Sequence, residues 1–357
     1  MTKHICVLPW MSIDRNVDTD VPHLAPCCWY EKQLPGELNN WDSYMKTDEL
    51  VTLRREFKDG ERPVGCRRCW YDEDNGKESM RQRVNEGRLQ EYEQAINLSE
   101  ELFAGIASQV KFGTGNNCNL SCRMCLPQLS SGVAKVWDAI GRPGLPDYGY
   151  DATADIYIRK NIHSLRYVDC LGGEPFYNKR FISLIDFMID QNASKHITLF
   201  VNTNGTLITD TMIDKLKQFK EAVIMVSIDA IGKGYEYIRV GSSFNRVEDT
   251  VCRLKENGIT VMIGSTYSVL SLCEQHELRT WCKTLDLPMT QGQTVHQPAE
   301  LHPSNLPEKL YKYLFDDDLL DNFKSDVKID CMPFIKQLDE HWGTDITKFM
   351  PYWKDVM

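Results

Sequence analysis

The chain is 357 residues long, about two domains' worth. Hydrophobic residues make up 42% and charged ones 26%, an ordinary balance for a globular protein, and no apolar run approaches the roughly 18 residues of a membrane span. With 41 Lys+Arg against 51 Asp+Glu the formal charge is −10, which argues against a nucleic-acid partner. The opening Met-Thr-Lys-His-Ile-Cys lacks the apolar region of a signal peptide, so a cytoplasmic location with no membrane partner is expected. Thirteen cysteines in such a chain point to metal ligation rather than to a disulfide framework.

Residues 1–80 are rich in turn formers and aromatics, with short apolar runs such as Val7-Leu8-Pro9-Trp10, and they hold Cys6, Cys27, Cys28, Cys66 and Cys69. Within them Trp41–Phe57 has the apolar spacing of a helix, closed by Lys58-Asp59-Gly60. Residues 81–107 are charged and weakly amphipathic and read as a linking helix. From 108 onward strands and helices alternate. The predicted strands are Gln109–Gly113, Leu165–Leu171, Ile197–Asn202, Ala222–Ile228 and Ile259–Thr266, with a weaker sixth near Thr290–His296. The predicted helices are Gly132–Ile140, Lys179–Ile189, Thr209–Phe219, Val247–Asn257 and Cys273–Leu285. This pattern predicts an α/β fold over 108–298, a partial (β/α)6 barrel with its active site at the C-terminal ends of the strands. Residues 299–357 read as a helical tail with an acidic Asp316-Asp317-Asp318 turn.

The informative cysteines are Cys118-Asn-Leu-Ser-Cys122-Arg-Met-Cys125, on the loop after the first predicted barrel strand. Three thiolates this close suit three irons of a [4Fe–4S] cubane, whereas structural zinc takes four protein ligands. The missing fourth ligand leaves one iron open to an external molecule. Cys170, Cys252, Cys273, Cys282 and Cys331 are isolated and read as packing residues.

C-x3-C-x2-C after one strand, with Gly172-Gly173-Glu174-Pro175 after the next, resembles the radical S-adenosylmethionine (SAM) enzymes. The resemblance implies that the open iron chelates SAM and that one electron cleaves it to methionine and a 5′-deoxyadenosyl radical. It further implies that Gly172, Gly173 and Glu174 accept the amino group of SAM. Asn204, in Asn202-Thr203-Asn204-Gly205, and Ser227, in Ser227-Ile228-Asp229, are placed near its ribose. Arg239 would bind its carboxylate, a task suited to a bidentate guanidinium. Met124 stands where the family usually has an aromatic beside the adenine.

The contexts around Cys6, Cys27, Cys66 and Cys69 resemble a twitch/SPASM-like auxiliary-cluster domain, placed here in front of the core. That resemblance implies these four as ligands of a second [4Fe–4S] cluster, with Cys28 the spare and a swap with Cys27 left open. Zinc accepts the same four ligands, so the metal is open as well. The expected cofactors are thus two [4Fe–4S] clusters and SAM, with a flavodoxin- or ferredoxin-type electron donor as partner. The expected reaction is hydrogen-atom abstraction from a peptide or protein. A small-molecule dehydrogenase or epimerase, and a non-enzymatic zinc or Fe–S binding protein, are the alternatives. No catalytic acid, base or hydrogen donor is named by the sequence.

Overall fold

The computed structural model of the chain describes residues 4–16, 23–31, 40–144, 149–290, 292–314, 323 and 328–357. Seven strands form one sheet: β1 (Ser12–Asn16), β2 (His23–Ala25), β3 (Gln109–Gly113), β4 (Tyr167–Leu171), β5 (Thr198–Thr203), β6 (Glu221–Ser227) and β7 (Thr260–Gly264). Their order is β2-β1-β3-β4-β5-β6-β7. β1 runs parallel to β3, with Asp14 opposite Lys111, and antiparallel to β2. β6 and β7 are parallel from Val223 opposite Thr260 to Ser227 opposite Gly264.

Strands β3 to β7 form where the apolar alternation places them, whereas β1 and β2 were not predicted. On β5 Leu199, Val201 and Thr203 are buried and the residues between them are half-buried, the period of two that covers one face of a sheet. Helices Ser131–Ala139, Lys179–Asp190, Asp210–Leu216, Phe244–Glu256 and Gln275–Thr284 alternate with the strands from β3 on, as expected for an α/β partial barrel. Helix Phe244–Glu256 buries Phe244, Val247, Thr250, Val251 and Leu254, one stripe at helical spacing. Ser130 and Thr209 cap their helices by accepting from the amides of Val133 and Met212.

Several predicted elements are redrawn. The weaker sixth strand does not join the sheet; its core survives as β9 (Gln293–Thr294), paired in parallel with β8 (Thr266–Tyr267). The helix predicted over Trp41–Phe57 is two helices, Trp41–Tyr44 and Asp48–Lys58, because Thr47 turns extended. The linking helix over 81–107 is replaced by the short helices Met80–Asn85 and Glu93–Asn97, the first ended by the extended Glu86. Helix Ala152–Lys160, capped by Asp151, was not predicted. The acidic Asp316-Asp317-Asp318 turn lies outside the described residues.

By its internal contacts the chain divides into two compact units. The first comprises Met1–Gly113, Asp151–Cys170 and Asp186–Leu199, and contains the five N-terminal cysteines. The second comprises Thr114–Tyr150, Leu171–Ile185 and Phe200–Met357, and contains Cys118, Cys122 and Cys125. Among the described residues no helix is long and apolar enough to cross a membrane.

Candidate functional site

In the second unit the loop between β3 and helix Ser131–Ala139 carries Cys118, Cys122 and Cys125. Its backbone is pinned on both sides of Cys122: the amide of Ser121 donates to the carbonyl of Val240 (3.1 Å) and that of Arg123 to the carbonyl of Ile238 (2.9 Å). A tight turn brings the Cys125 amide to the Cys122 carbonyl at 3.1 Å. Each of the first two sulfurs has a side-chain donor, Asn204 Nδ2 at 3.9 Å from Cys118 Sγ and Arg239 Nη1 at 3.8 Å from Cys122 Sγ. The Leu120 amide also donates to Cys118 Sγ, at 3.4 Å. Burial pushes the Cys118 thiol up to about 12, with the neighbouring Cys122 adding to it, and raises Cys122 and Cys125 as well. Three crowded, buried thiols are poor thiolates on their own; a cationic iron centre would supply the missing counter-charge.

The turn after β4 needs its two glycines. Gly172 has φ +90° and Gly173 φ +52°, and a Cβ at Gly173 would collide with the carbonyl oxygen of Asn117. Glu174 then enters with its amide on that same carbonyl (2.8 Å) and its side chain wholly buried. Its carboxylate accepts from Thr203 Oγ1 (2.7 Å), the Asn204 amide (2.7 Å) and the Phe176 amide (3.1 Å). Burial nonetheless pushes the group up to about 6. Both oxygens therefore have protein donors, and the residue ties the turn after β4 to the turn after β5.

Asn204 sits on that second turn. Its Oδ1 accepts from the Thr206 amide and hydroxyl, and its Nδ2 donates to Asn119 Oδ1 at 2.9 Å. Asn119 Nδ2 closes the loop onto Thr206 Oγ1. Ser227, at the end of β6, donates to Asn202 Oδ1 at 3.1 Å. Arg239 follows helix Gly232–Ile238, and its Nε donates to Asp229 Oδ2 at 2.7 Å, a pair almost wholly withdrawn from water. Asp229 also accepts the Thr266 amide. Its carboxyl is raised by burial, which the guanidinium opposes, and Arg239 is held firmly protonated by Asp229 despite its own burial. Met124 is buried, its sulfur accepting from Ser268 Oγ at 3.8 Å.

The structure thus gathers Cys118 with Asn204 and Cys122 with Arg239, and holds Glu174 as their support. Sequence reasoning quoted Thr203 and Asp229 within the strand-end motifs Asn202-Thr203-Asn204-Gly205 and Ser227-Ile228-Asp229 without giving either a role of its own; it missed Asn119 and Ser268, for which it had no signal.

In the first unit Cys6, Cys27, Cys66 and Cys69 line one cavity with Leu8, Trp29, Phe57, Met80 and Arg81. Burial raises Cys27, Cys66 and Cys69 and pushes Cys6 up to about 12. The Cys69 sulfur accepts from the Arg81 amide. Arg81 makes a two-pronged pair with Glu73 (3.0 and 2.7 Å) and donates to the Ile5 carbonyl. Cys28 is not part of this wall. Its thiol meets the Lys111 ammonium, which pairs with Asp14 at 3.4 Å and is also drawn to Asp169. Four soft donors round an otherwise apolar cavity suit a polynuclear iron centre or zinc. Among the described residues no group of three or more His, Cys, Asp or Glu is placed to hold a single metal ion.

The radical SAM superfamily profile matches residues 112–272. The chain is 22% identical over 226 residues to the antilisterial bacteriocin subtilosin biosynthesis protein AlbA of Bacillus subtilis (strain 168), covering 61% of this chain and 47% of AlbA. It therefore spans about half the length of the curated relative it matches. Among solved structures, native anSMEcpe with bound AdoMet aligns at 18% identity over 52% of this chain and 51% of that one, with a TM-score of 0.42. Streptococcus suis SuiB bound to precursor peptide SuiA aligns at 13% identity over 75% of this chain and 54% of that one, also at 0.42.

Proposed function

We propose, from the radical SAM superfamily profile that matches residues 112–272, that this chain is a radical SAM enzyme that begins its reaction by abstracting a hydrogen atom from a peptide or protein substrate. One observation carries the assignment of the site: Cys118, Cys122 and Cys125 sit on one pinned loop with Asn204 and Arg239 donating to two of the sulfurs. Those three cysteines would hold a [4Fe–4S] cluster and leave one iron for SAM. When bound, the cluster supplies the electron that splits the S–C5′ bond of SAM, giving methionine and a 5′-deoxyadenosyl radical.

The chain's own residues bind and orient. Arg239 has Nε committed to Asp229 and Nη1 to Cys122 Sγ, so Nη2 is the nitrogen left to meet the SAM carboxylate. The backbone of Gly172 and Gly173 approaches the amino group closely because neither residue has a side chain. Glu174 acts on that group through the turns it fastens. Ser227 and Asn204 flank the ribose, and Met124 covers the adenine. N–H donors on the sulfurs set how readily the cluster takes its electron from a flavodoxin- or ferredoxin-type donor.

Cys6, Cys27, Cys66 and Cys69 would hold a second cluster, which would supply an electron acceptor for the substrate radical or an anchor for the substrate. The shared cavity of the four thiols supports this, and supports Cys27 over Cys28 as the ligand. A peptide substrate is favoured because AlbA, the curated relative, is a bacteriocin biosynthesis protein. The test is anaerobic incubation with SAM, a reductant and a short peptide encoded beside the gene. Peptide-dependent 5′-deoxyadenosine, with deuterium carried into it from labelled peptide, is expected. Stimulation by sugars or nucleotides alone would replace the peptide with a small molecule.

A further inference from the structure

Arg123 lies between two of the cluster-loop cysteines, and its side chain turns away from them into the C-terminal segment. It is among the largest fully buried side chains of the molecule. Nε donates to the Tyr237 carbonyl at 2.8 Å, and Nη2 donates to Thr344 Oγ1 at 2.6 Å and pairs with Asp339 Oδ1 at 3.2 Å. Nη1 has no acceptor; the guanidinium instead lies 3.8 Å from the ring centre of Tyr237 and 4.6 Å from that of Trp342. Asp339 in turn accepts from Thr344 Oγ1 (2.6 Å) and from the Ile346 amide (3.0 Å) at the head of helix Ile346–Phe349, which Asp345 caps and whose Phe349 ring packs on Tyr237.

These contacts form a chain. The C-terminal residues hold Arg123; Arg123 holds the last turn of helix Gly232–Ile238 through the carbonyls of Tyr237 and Ile238. The next residue, Arg239, reaches back to Cys122, the neighbour of Arg123 on the other side. Cys122 and Arg239 thus sit at the ends of two segments clasped at Arg123. A buried ion pair is a poor device for stability, since apolar residues of the same volume do as well or better, whereas it is a good device for fixing one geometry.

We propose that the Asp339–Arg123 pair is the buckle by which the segment Met332–Phe349 fixes Cys122 and Arg239 against each other, so that Asp339 is a positioning residue for SAM. The inference rests on the reading of Cys122 as a cluster ligand and of Arg239 as a SAM contact. Among the described residues, none of that segment is hydrogen-bonded to the three thiols; it reaches them through Arg123 and through Phe349 packed on Tyr237.

The experiment uses the full chain, reconstituted with iron and sulfide, and two variants, Asp339→Asn and the apolar pair Arg123→Met/Asp339→Leu. SAM cleavage by the parent, lost in Cys125→Ala, first establishes the site itself; without it the radical SAM reading fails rather than the buckle. The readouts are the change that SAM induces in the electron paramagnetic resonance spectrum of the reduced cluster, and KM against kcat for 5′-deoxyadenosine formation. The account predicts parental iron, an altered SAM-induced spectrum and KM for SAM raised about tenfold or more with kcat changed less than about threefold. The apolar pair removes the unpaired charge that a single change leaves, and if it does not fold, Asp339→Asn carries the same readouts. A folded variant with the parental spectrum and parental KM overturns the proposal and leaves the pair a packing feature.

Discussion

Cys27 and Cys28 are adjacent in the chain yet meet opposite surroundings: Cys27 lines the cavity shared with Cys6, Cys66 and Cys69, while Cys28 meets the ammonium of Lys111. Lys111 is held in turn by Asp14, its partner across β1 and β3. Cys28 therefore belongs to a polar row on the sheet and Cys27 to the cage.

That division predicts the metal content. Cys28→Ala should leave the iron and sulfide of the reconstituted protein unchanged. Ala at Cys6, Cys27, Cys66 or Cys69 should each remove about four irons, the content of one cubane. Parallel loss of about one zinc in those variants, with iron constant, would make the cage a zinc site.

Arg239→Ala removes the partner of a wholly buried carboxylate, Asp229. Leaving that charge unpaired should cost roughly 3–5 kcal/mol in urea unfolding, besides the loss of SAM cleavage. The double variant Arg239→Leu/Asp229→Leu should recover most of the stability and none of the activity. Recovery of both would remove Arg239 from the SAM site.

Glu174 carries a pH signature. Its carboxyl is pushed from an ordinary 4.5 up to about 6 in the folded chain, so folding favours the protonated form. The stability this confers is fully present below about pH 4.5 and is lost as pH rises through about 6. The margin of the parent over Glu174→Gln should fall by about 1.6 kcal/mol between pH 4.5 and 7 in urea unfolding of the metal-free chain. A margin that grows with pH would mean that the three donors outweigh burial.

Gly173→Ala places a side chain at φ +52° against the Asn117 carbonyl. A cost of about 1–3 kcal/mol is expected. Because the same turn carries Glu174, SAM affinity should fall with it; thermal unfolding and SAM titration check the two separately.

Much of this was legible because apolar alternation survives wherever a strand is covered on one face. Gln109–Gly113 was predicted to the residue. β1 was not, since Ser-Ile-Asp-Arg-Asn offers a single apolar residue; it is held by its pairing with β3, where Asp14 faces Lys111, and that partner lies almost a hundred residues away. The cysteine loop and the glycine turn were legible because their chemistry demands fixed residue types at fixed spacing. Glu174 shows the limit of that logic: the motif names the residue, but only Thr203 and the Asn204 amide show which way its carboxylate faces. Arg123 had no signal at all, because its partners, Thr344 and Asp339, are more than two hundred residues downstream.

The most direct measurement is 5′-deoxyadenosine formed from SAM by the reduced, anaerobically reconstituted parent and by Cys125→Ala. Steady formation by the parent, and none above the reductant-only background in the variant, is the predicted result. Equal formation by the two proteins would contradict the account at its centre, since the cluster loop would then have no part in the chemistry.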